Sequence, residues 1–326
     1  MGLIASIIIP VLNEEENIIR CLESVFALNL NRKDYEVILI DNGSIDDTVK
    51  NAKKYPIDLL LIEPNTTIAG LRNLGACKAK SAILAFLDAD CVASSEWLNR
   101  ALDNLIYKNN DPRIVATGSR YKVPKQAGFI ERVWFGQRSE DNEFVNYLNA
   151  GNFIIRKNVF DSINGFDEKL TTGEDSEICM RLTQHGYKIL SDEQITVIHF
   201  GNPKNIYQFF KKQMWQAQGM LGTYRLHKMD KPLIMTSLFL IGLIITILSA
   251  FNNLIGLNNN LFLFTLLLSG FIPIVTSIFR VFQYKNPSLL LPLILLYSVY
   301  YLARSVVLVK IFCSYFTKHC FFCRSE

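Results

Sequence analysis

The run Ser81-Ala82-Ile83-Leu84-Ala85-Phe86-Leu87-Asp88-Ala89-Asp90-Cys91 decides how the rest of the chain is read. Ile83 to Leu87 is a short continuous apolar run, the pattern of a strand buried on both faces. It stops on two carboxylates one residue apart. Unpaired charges inside a sheet would each forfeit several kcal/mol of hydration, so both must emerge at the strand's carboxyl end. That end is where open α/β sheets bind ligands. Paired aspartates there suit a divalent cation that keeps its remaining positions for water and phosphate oxygens. An isolated Asp-x-Asp is more often a solvated turn, so the surroundings must decide.

The chain before this run repeats one pattern. Leu3 to Pro10 is a β-branched apolar run, and Asn13 follows as an N-cap with Glu14, Glu15 and Glu16 at the positive end of a helix dipole. Ile18, Ile19, Leu22, Val25 and Phe26 give that helix an apolar face at 3.6-residue spacing. A second buried strand, Tyr35 to Ile40, closes on Asp41-Asn42-Gly43-Ser44-Ile45-Asp46-Asp47-Thr48. Gly43 supplies the turn there, and Ser44 with Asp47 resembles a capping box for a helix to Tyr55. A third strand, Asp58 to Ile62, precedes a helix from Ala69 to Lys80. Strand, helix, strand, helix at this spacing calls for parallel strands with right-handed crossovers.

There is no Gly-x-Gly-x-x-Gly after the first strand and no Walker loop, which disfavours dinucleotide oxidoreductases and P-loop NTPases. Acidic residues instead close strands one, two and four. An acid after a buried strand, such as Asp41, can accept hydrogen bonds from a base or ribose; the plainer reading is a turn aspartate.

At this point the residues resemble the glycosyltransferase family 2 enzymes with the GT-A fold. The carriers are Ser6-Ile7-Ile8-Ile9-Pro10-x-x-Asn13-Glu14, the stretch Glu36 to Asp41 with Gly43, Ser44, Asp46 and Thr48, Ala69-Gly70-x-Arg72-Asn73-x-Gly75, and Phe86 to Asp90. Gly165-Phe166-Asp167-Glu168 and Gly173-Glu174-Asp175 continue the likeness, which spans roughly Ser6 to His199. The resemblance implies a nucleotide-sugar site formed by Pro10, Asn13, Glu14, Asp41, Ser44, Arg72 and Asp88. In it Asp41 contacts the base, Arg72 lies near the donor, and Asp88 stands on the ribose or metal side. Asp90 would hold a Mg²⁺ or Mn²⁺ ion that bridges the diphosphate. Independently, a leaving nucleoside diphosphate develops charge that such an ion stabilises as a Lewis acid. Arg72 taken alone is equally an ordinary surface helix arginine.

From about Pro112 the chain should build the acceptor side. Asn149-Ala150-Gly151-Asn152 precedes a strand from Phe153 to Arg156, and its small residues let a ligand approach the backbone. Thr171-Thr172-Gly173-Glu174-Asp175 opens an amphipathic helix with Ile178, Cys179 and Leu182 on one face and Gly186 at its C-terminus. Acids at a helix start often only cap it. The family resemblance places the general base in this pair, on Asp175 with Glu174 as second choice. A carboxylate is weakly basic, and partial desolvation would raise its pKa toward the task. His199 ends a strand Ile195 to Ile198; it is structural, or a ligand of the metal or diphosphate.

Composition divides the chain near Lys231-Pro232: between Asp230 and Glu326 there is no acidic residue. The net charge of +4 is too small to suggest nucleic acid. Six Lys/Arg fall between Pro203 and Pro232, beside an apolar region, as at a cytoplasmic membrane surface. Tyr207 to Tyr224 reads as an interfacial helix. Leu233–Phe251 and Leu261–Phe279 are each 19 residues without a charge, long enough to span ~30 Å of hydrocarbon. Their connector, Asn252 to Asn260, has no Lys or Arg and suits the outside, while Arg280 and Lys285 return inside. A third segment, Ser288 to Val309, is interrupted by Arg304. No signal peptide precedes Pro10. Met1-Gly2 fits a first strand better than a myristoylation signal. Seven scattered cysteines argue against a disulfide framework, and Cys320-x-x-Cys323 lacks the second pair of a zinc site.

The expected class is α/β: a GT-A fold with a mixed, mainly parallel sheet, followed by an interfacial helix and two or three transmembrane helices. Residues 1–200 form the catalytic domain (1–111 for the nucleotide-sugar, 112–200 for the acceptor), 201–231 the juxtamembrane helix and 232–326 the membrane region. The expected function is single-sugar, inverting, metal-dependent transfer from a nucleotide-sugar to a membrane-associated, lipid-linked saccharide, with the catalytic domain facing the cytoplasm. The processive signature Gln-x-x-Arg-Trp is missing; Gln213-Met214-Trp215 is its nearest trace. The rivals are a polyprenyl-phosphate glycosyl synthase, a non-catalytic nucleotide-binding homologue and, more weakly, a transporter.

Overall fold

Burial of the first apolar runs gives four parallel strands: β1 (Ala5–Val11), β2 (Tyr35–Asp41), β3 (Leu59–Ile62) and β4 (Ile83–Leu87). The computed structural model describes residues 3–107, 111–136, 143–219, 231–254 and 259–322. Between the strands run α1 (Ile18–Phe26), α2 (Thr48–Ala52) and α3 (Ile68–Lys78). Next come β5 (Cys91–Ala93), α4 (Trp97–Leu102), β6 (Ile114–Gly118), β7 (Glu143–Val145), β8 (Asn152–Arg156), α5 (Lys157–Ser162), α6 (Glu174–Gln184), β9 (Lys188–Ser191) and β10 (Val197–His199).

The eight-stranded sheet has the order β3-β2-β1-β4-β8-β6-β9-β7. Strand β8 runs antiparallel to β4 and β6, and β7 antiparallel to β9; the other pairs are parallel. Two-residue alternation explains why β1 and β2 read as unbroken apolar runs. Ile7, Ile9, Val37 and Leu39 pack beneath α1, while Ile8, Ile38 and Ile40 pack beneath α3. A side chain at Gly75 would meet Ile8 Cγ2 at 2.5 Å and Ile40 Cδ1 at 2.8 Å, so this glycine sets how closely α3 lies on the sheet. Pro10 sits where β1 has already parted from β4, whose register with it ends at Ile8–Phe86, so the missing N–H costs nothing on that side.

Two local expectations yield to tertiary contacts. Asn13 does not cap α1, which begins at Ile18 after Asn17. It takes a left-handed conformation (φ +52°) and its side-chain oxygen accepts from Ile45 N, while Ser44 Oγ accepts from Asn13 N. Ser44 and Asp47 form no capping box; Asp46 Oδ1 accepts from Thr48 N, and Thr48 Oγ1 accepts from Glu14 N. The loops after β1 and β2 thus latch to each other, which satisfies more donors than either helix cap would.

The chain divides into two units, Met1–Ala127 with Ser139–Asn202, and Gly128–Arg138 with Pro203–Glu326. The second holds α7 (Ile206–Ala217), α8 (Lys231–Leu254), α9 (Asn259–Tyr284) and α10 (Leu290–Phe322). Phe209 of α7, within the segment read from sequence as an interfacial helix, is buried among Ile130, Leu293 and Leu296, with Trp134 edge-on at 5.0 Å. Among the described residues two stretches are long and apolar enough to cross a membrane, Lys231–Phe251 and Pro287–Cys313. The second continues through Arg304, whose guanidinium lies 4.3 Å over the Tyr300 ring. The expected span Leu261–Phe279 falls within α9. Residues 220–230 and 255–258, which carry parts of the expected interfacial helix and connector, lie outside the described residues, as does Cys323.

Candidate active site

Asp88 leaves the carboxyl end of β4 and is met at once. Arg72, reaching from α3, donates to its Oδ1 at 2.7 Å, and the Tyr121 hydroxyl donates to its Oδ2 at 2.8 Å. The other arm of Arg72 donates to Glu174 Oε1 at 2.7 Å. Arg72 is only 2% exposed, so it is not a surface helix arginine but a buried bridge between two carboxylates. Burial alone would raise the Asp88 carboxyl; Arg72 and the Tyr121 hydroxyl more than offset it and hold it below the ordinary carboxylate range. The same pairing, against burial, raises Arg72 and keeps it charged.

Asp90 stands across from His199, with Oδ2 and Nε2 3.3 Å apart. The antiparallel pairing of β10 with β5 sets this approach, because it places His199 opposite Cys91. Asp90, Cys91 and His199 can bring ligand atoms within 4.8 Å of one another. Burial pushes the Cys91 thiol well above its usual range, so it stays a neutral thiol and a poor ligand. What remains is a carboxylate and an imidazole, a hard-to-borderline set suited to Mg²⁺ or Mn²⁺. Two glycines keep this corner open. A Cβ on Gly201 would collide with Asp90 Oδ2, and one on Gly151 with Asp88 Oδ2 and the Tyr121 hydroxyl.

After β8 and α5, Gly173 adopts φ +88°, a left-handed turn that launches α6 with Glu174 and Asp175 in its first turn. Glu174 is committed to Arg72. Asp175 Oδ2 accepts from the Tyr147 hydroxyl at 2.7 Å, and its Oδ1 from Ser176 N at 2.8 Å. Burial, helped by neighbouring Glu174, pushes the Asp175 carboxyl up to about 6, with Tyr147, Ser176 N and Arg72 pulling the other way. Burial likewise lifts Glu14 to about 7; Asn17 opposes this and Asp90, Asp88 and Asp46 add to it. Glu14 therefore faces the same acidic corner.

Asp41 is 1% exposed, and its carboxylate closes its own turn, accepting from Gly43 N and Ser44 N at 2.9 Å each and from Ser44 Oγ. The structure thus gathers Arg72, Asp88, Asp90, Glu174, Asp175 and His199 at one end of the sheet and gives Asp41, Ser44 and Asn13 the task of building the adjoining loop. Sequence reasoning missed Tyr121, Tyr147 and Gly201. Gly151 carried a signal, in the small residues before β8; the two tyrosines carried none, since each acts through a partner far away in the chain.

A parallel first half, joined through antiparallel β8 to a second half that brings its own carboxylates, is the GT-A architecture. The chain belongs to glycosyltransferase family 2: residues 6–165 match Glycosyl transferase family 2, and residues 127–315, more than half the chain, match Glycosyl transferase family group 2. Glycosyltransferase AglE of Haloferax volcanii is 28% identical over 233 residues, 69% of this chain and 75% of its own. The glucosyl-dolichyl phosphate glucuronosyltransferase of that organism is 25% identical over 199 residues, 55% of this chain and 59% of its own. Another curated relative is covered over 42% of its length. Among solved structures, mannosyltransferase PcManGT from Pyrobaculum calidifontis, in complex with GDP-Man and Mn²⁺, is similar with a TM-score of 0.54 at 19% identity, over 68% of this chain and 64% of that one.

Proposed function

We propose that this glycosyltransferase is membrane-bound, inverting and non-processive, and moves one sugar from a nucleotide-sugar donor to a lipid-linked saccharide in polysaccharide or glycoconjugate assembly. The observation that carries the reading is Arg72, which ties a carboxylate held low, Asp88, to the pair that includes a carboxylate held high, Asp175. Environments that push two carboxyls apart are how one fold separates an anionic binding group from a general base. Asp88 stays anionic beside the donor, and Asp175 takes the proton of the acceptor hydroxyl as that oxygen attacks the anomeric carbon from behind. Glu174 serves to hold Arg72. Asp90 and His199, with Asp88 beside them, would hold Mg²⁺ or Mn²⁺, in keeping with the Mn²⁺ of the PcManGT complex. When bound, that ion stabilises the charge on the leaving nucleoside diphosphate. Pro10, Asn13, Asp41 and Ser44 belong to the strand ends and loops assigned to the base end of the donor site, and Glu14 is assigned to its diphosphate end beside Asp88 and Asp90.

Residues 1–200 are assigned to catalysis, 201–231 to a juxtamembrane helix and 232–326 to the membrane. Two apolar stretches with outward Ile241, Leu248, Phe251 and Leu291 support membrane insertion. The lysines and arginines before Pro232 support a cytoplasmic catalytic unit. The glucosyl-dolichyl phosphate named for one relative supports a lipid-linked acceptor. In membranes containing the protein, UDP- and GDP-sugars with a lipid extract should release nucleoside diphosphate only with Mn²⁺ or Mg²⁺, and Asp90→Ala should abolish that release. Equal turnover in chelator, or in Asp90→Ala, would refute the metal assignment. Turnover on bare polyprenyl phosphate would move the acceptor from saccharide to lipid phosphate.

A further inference from the structure

The segment before β8 shows a two-residue alternation. Leu148 and Ala150 point into the core, whereas Tyr147, 39% exposed, and Asn149 point the other way. The core side is locked to α6, since Ile178, Cys179 and Leu182 share a cluster with Leu148 and Ala150, and the Cys179 thiol donates to Leu148 O at 3.8 Å. The outward side meets the start of the same helix. Asn149 Nδ2 donates to the Tyr147 oxygen at 2.9 Å, and the Tyr147 hydroxyl donates to Asp175 Oδ2 at 2.7 Å. The amide occupies the phenol oxygen as an acceptor, which turns the phenol hydrogen toward the carboxylate. Chains of this polarity strengthen one another.

We infer that Tyr147 is a positioning residue of the transfer step: steered by Asn149, its hydroxyl fixes the Asp175 carboxylate and leaves that group's remaining lone pairs for the acceptor hydroxyl. An ionised carboxylate offers about four acceptor sites. Ser176 N and Tyr147 fill two of Asp175's, one on each oxygen. Fixing the carboxylate from both oxygens removes its rotation about the terminal bond, which is otherwise broad and soft. The ring itself is not core, so burial of apolar surface does not account for its placement.

This inference rests on Asp175 being the base, and a pH profile separates the two. The groups facing Asp175 are Glu174 beside it, Arg72 from α3, the Ser176 amide and Tyr147, with Cys179 one turn along α6. Of these, Tyr147→Phe removes one hydrogen bond that favours the ionised form and leaves the other groups in place. The acid limb of kcat should then move to higher pH by about half to one unit. At pH 5, below the limb, kcat should fall roughly three- to tenfold relative to wild type, and by less than about twofold at pH 7, while the KM for the nucleotide-sugar stays put. Asn149→Ala should shift the limb in the same direction by less.

The experiment uses the full chain in membranes, with the UDP- and GDP-sugar panel and lipid extract, and reads both transfer and nucleoside diphosphate release to water. A Tyr147→Phe limb superimposable on wild type would overturn the inference, as would a loss confined to donor KM. Full turnover by Asp175→Asn would overturn the base assignment itself, whatever Tyr147→Phe does. A limb that moves up in Tyr147→Phe, with Asp175→Asn inactive, supports both.

Discussion

Asp88, which Arg72 holds directly, and Asp175, next to the Glu174 that Arg72 also holds, are two aspartates that differ only in what surrounds them. Asp88 has a guanidinium on one oxygen and a phenol on the other, and lies below the ordinary carboxylate range. Asp175 has a phenol and a backbone amide, sits beside a second carboxylate, and rises to about 6. The guanidinium decides the difference. Both carboxyls are buried; at Asp88 the guanidinium in direct contact outweighs burial, whereas at Asp175 burial dominates, Glu174 adds to it and the more distant Arg72 opposes it only in part. Two aspartates of one chemistry are thereby sorted into a group that stays anionic and a group that can exchange a proton.

The largest effect should come from removing the exchangeable group. Asp175→Asn keeps the shape and the hydrogen-bonding reach but cannot accept a proton, so transfer should fall by roughly 10²–10⁴. Nucleotide binding, proposed for the Asp88 end, should be unchanged by calorimetry. Loss of nucleotide affinity in Asp175→Asn would mean that the two ends are not separable.

Next is the bridge. Arg72→Met leaves Asp88 and Glu174 without their cation in a buried setting, and breaking a buried pair by removing one partner costs about 3–5 kcal/mol. The variant should unfold at lower denaturant and also lose turnover, since Asp88 would no longer be held low. The pair Arg72→Met with Glu174→Gln should recover part of the stability but none of the activity. Full stability in the single variant would show that the bridge does not hold the two halves together.

These two ends were unequally visible in the sequence. The Asp88 end was written in contiguous residues: an apolar run, then two acids, an arrangement that charge and burial alone place at the strand's end. The parallel strands and Glu174-Asp175 at the start of α6 were also local features. The bridge was not. Arg72, at the centre of a run without hydrophobic periodicity, takes its meaning from Glu174 and Asp88, 102 and 16 residues away. Tyr121 and Tyr147 are invisible for the same reason. Asn13 and Ser44 misled in the opposite direction: their local pattern suggested helix caps, and contacts spanning 31 and 32 residues took the Ser44 and Asn13 side chains. Sequence periodicity reports burial against a core, whereas a polar network is specified by which loops the fold happens to bring together.

The smallest effect is the most discriminating. Asp175 must be ionised to act as a base, so turnover should fall as pH drops through about 6. Rates at pH 5 should be roughly a tenth of those at pH 7 for a single group of that pKa. Glu14 complicates the curve, because it lies at about 7 and faces the Asp88 and Asp90 corner. The two titrations can be told apart by sign and place. Glu14 is raised by burial and by neighbouring acids, so a divalent cation, by neutralising those acids, should move its titration down and out of the working range. Asp175 is flanked by Glu174 on α6, so its limb should ignore the cation concentration. Glu14→Gln should accordingly leave a limb near 6 intact under saturating metal. A limb that moves with metal concentration would place the titrating group at the donor end, and the division of labour across Arg72 would then be drawn the wrong way round.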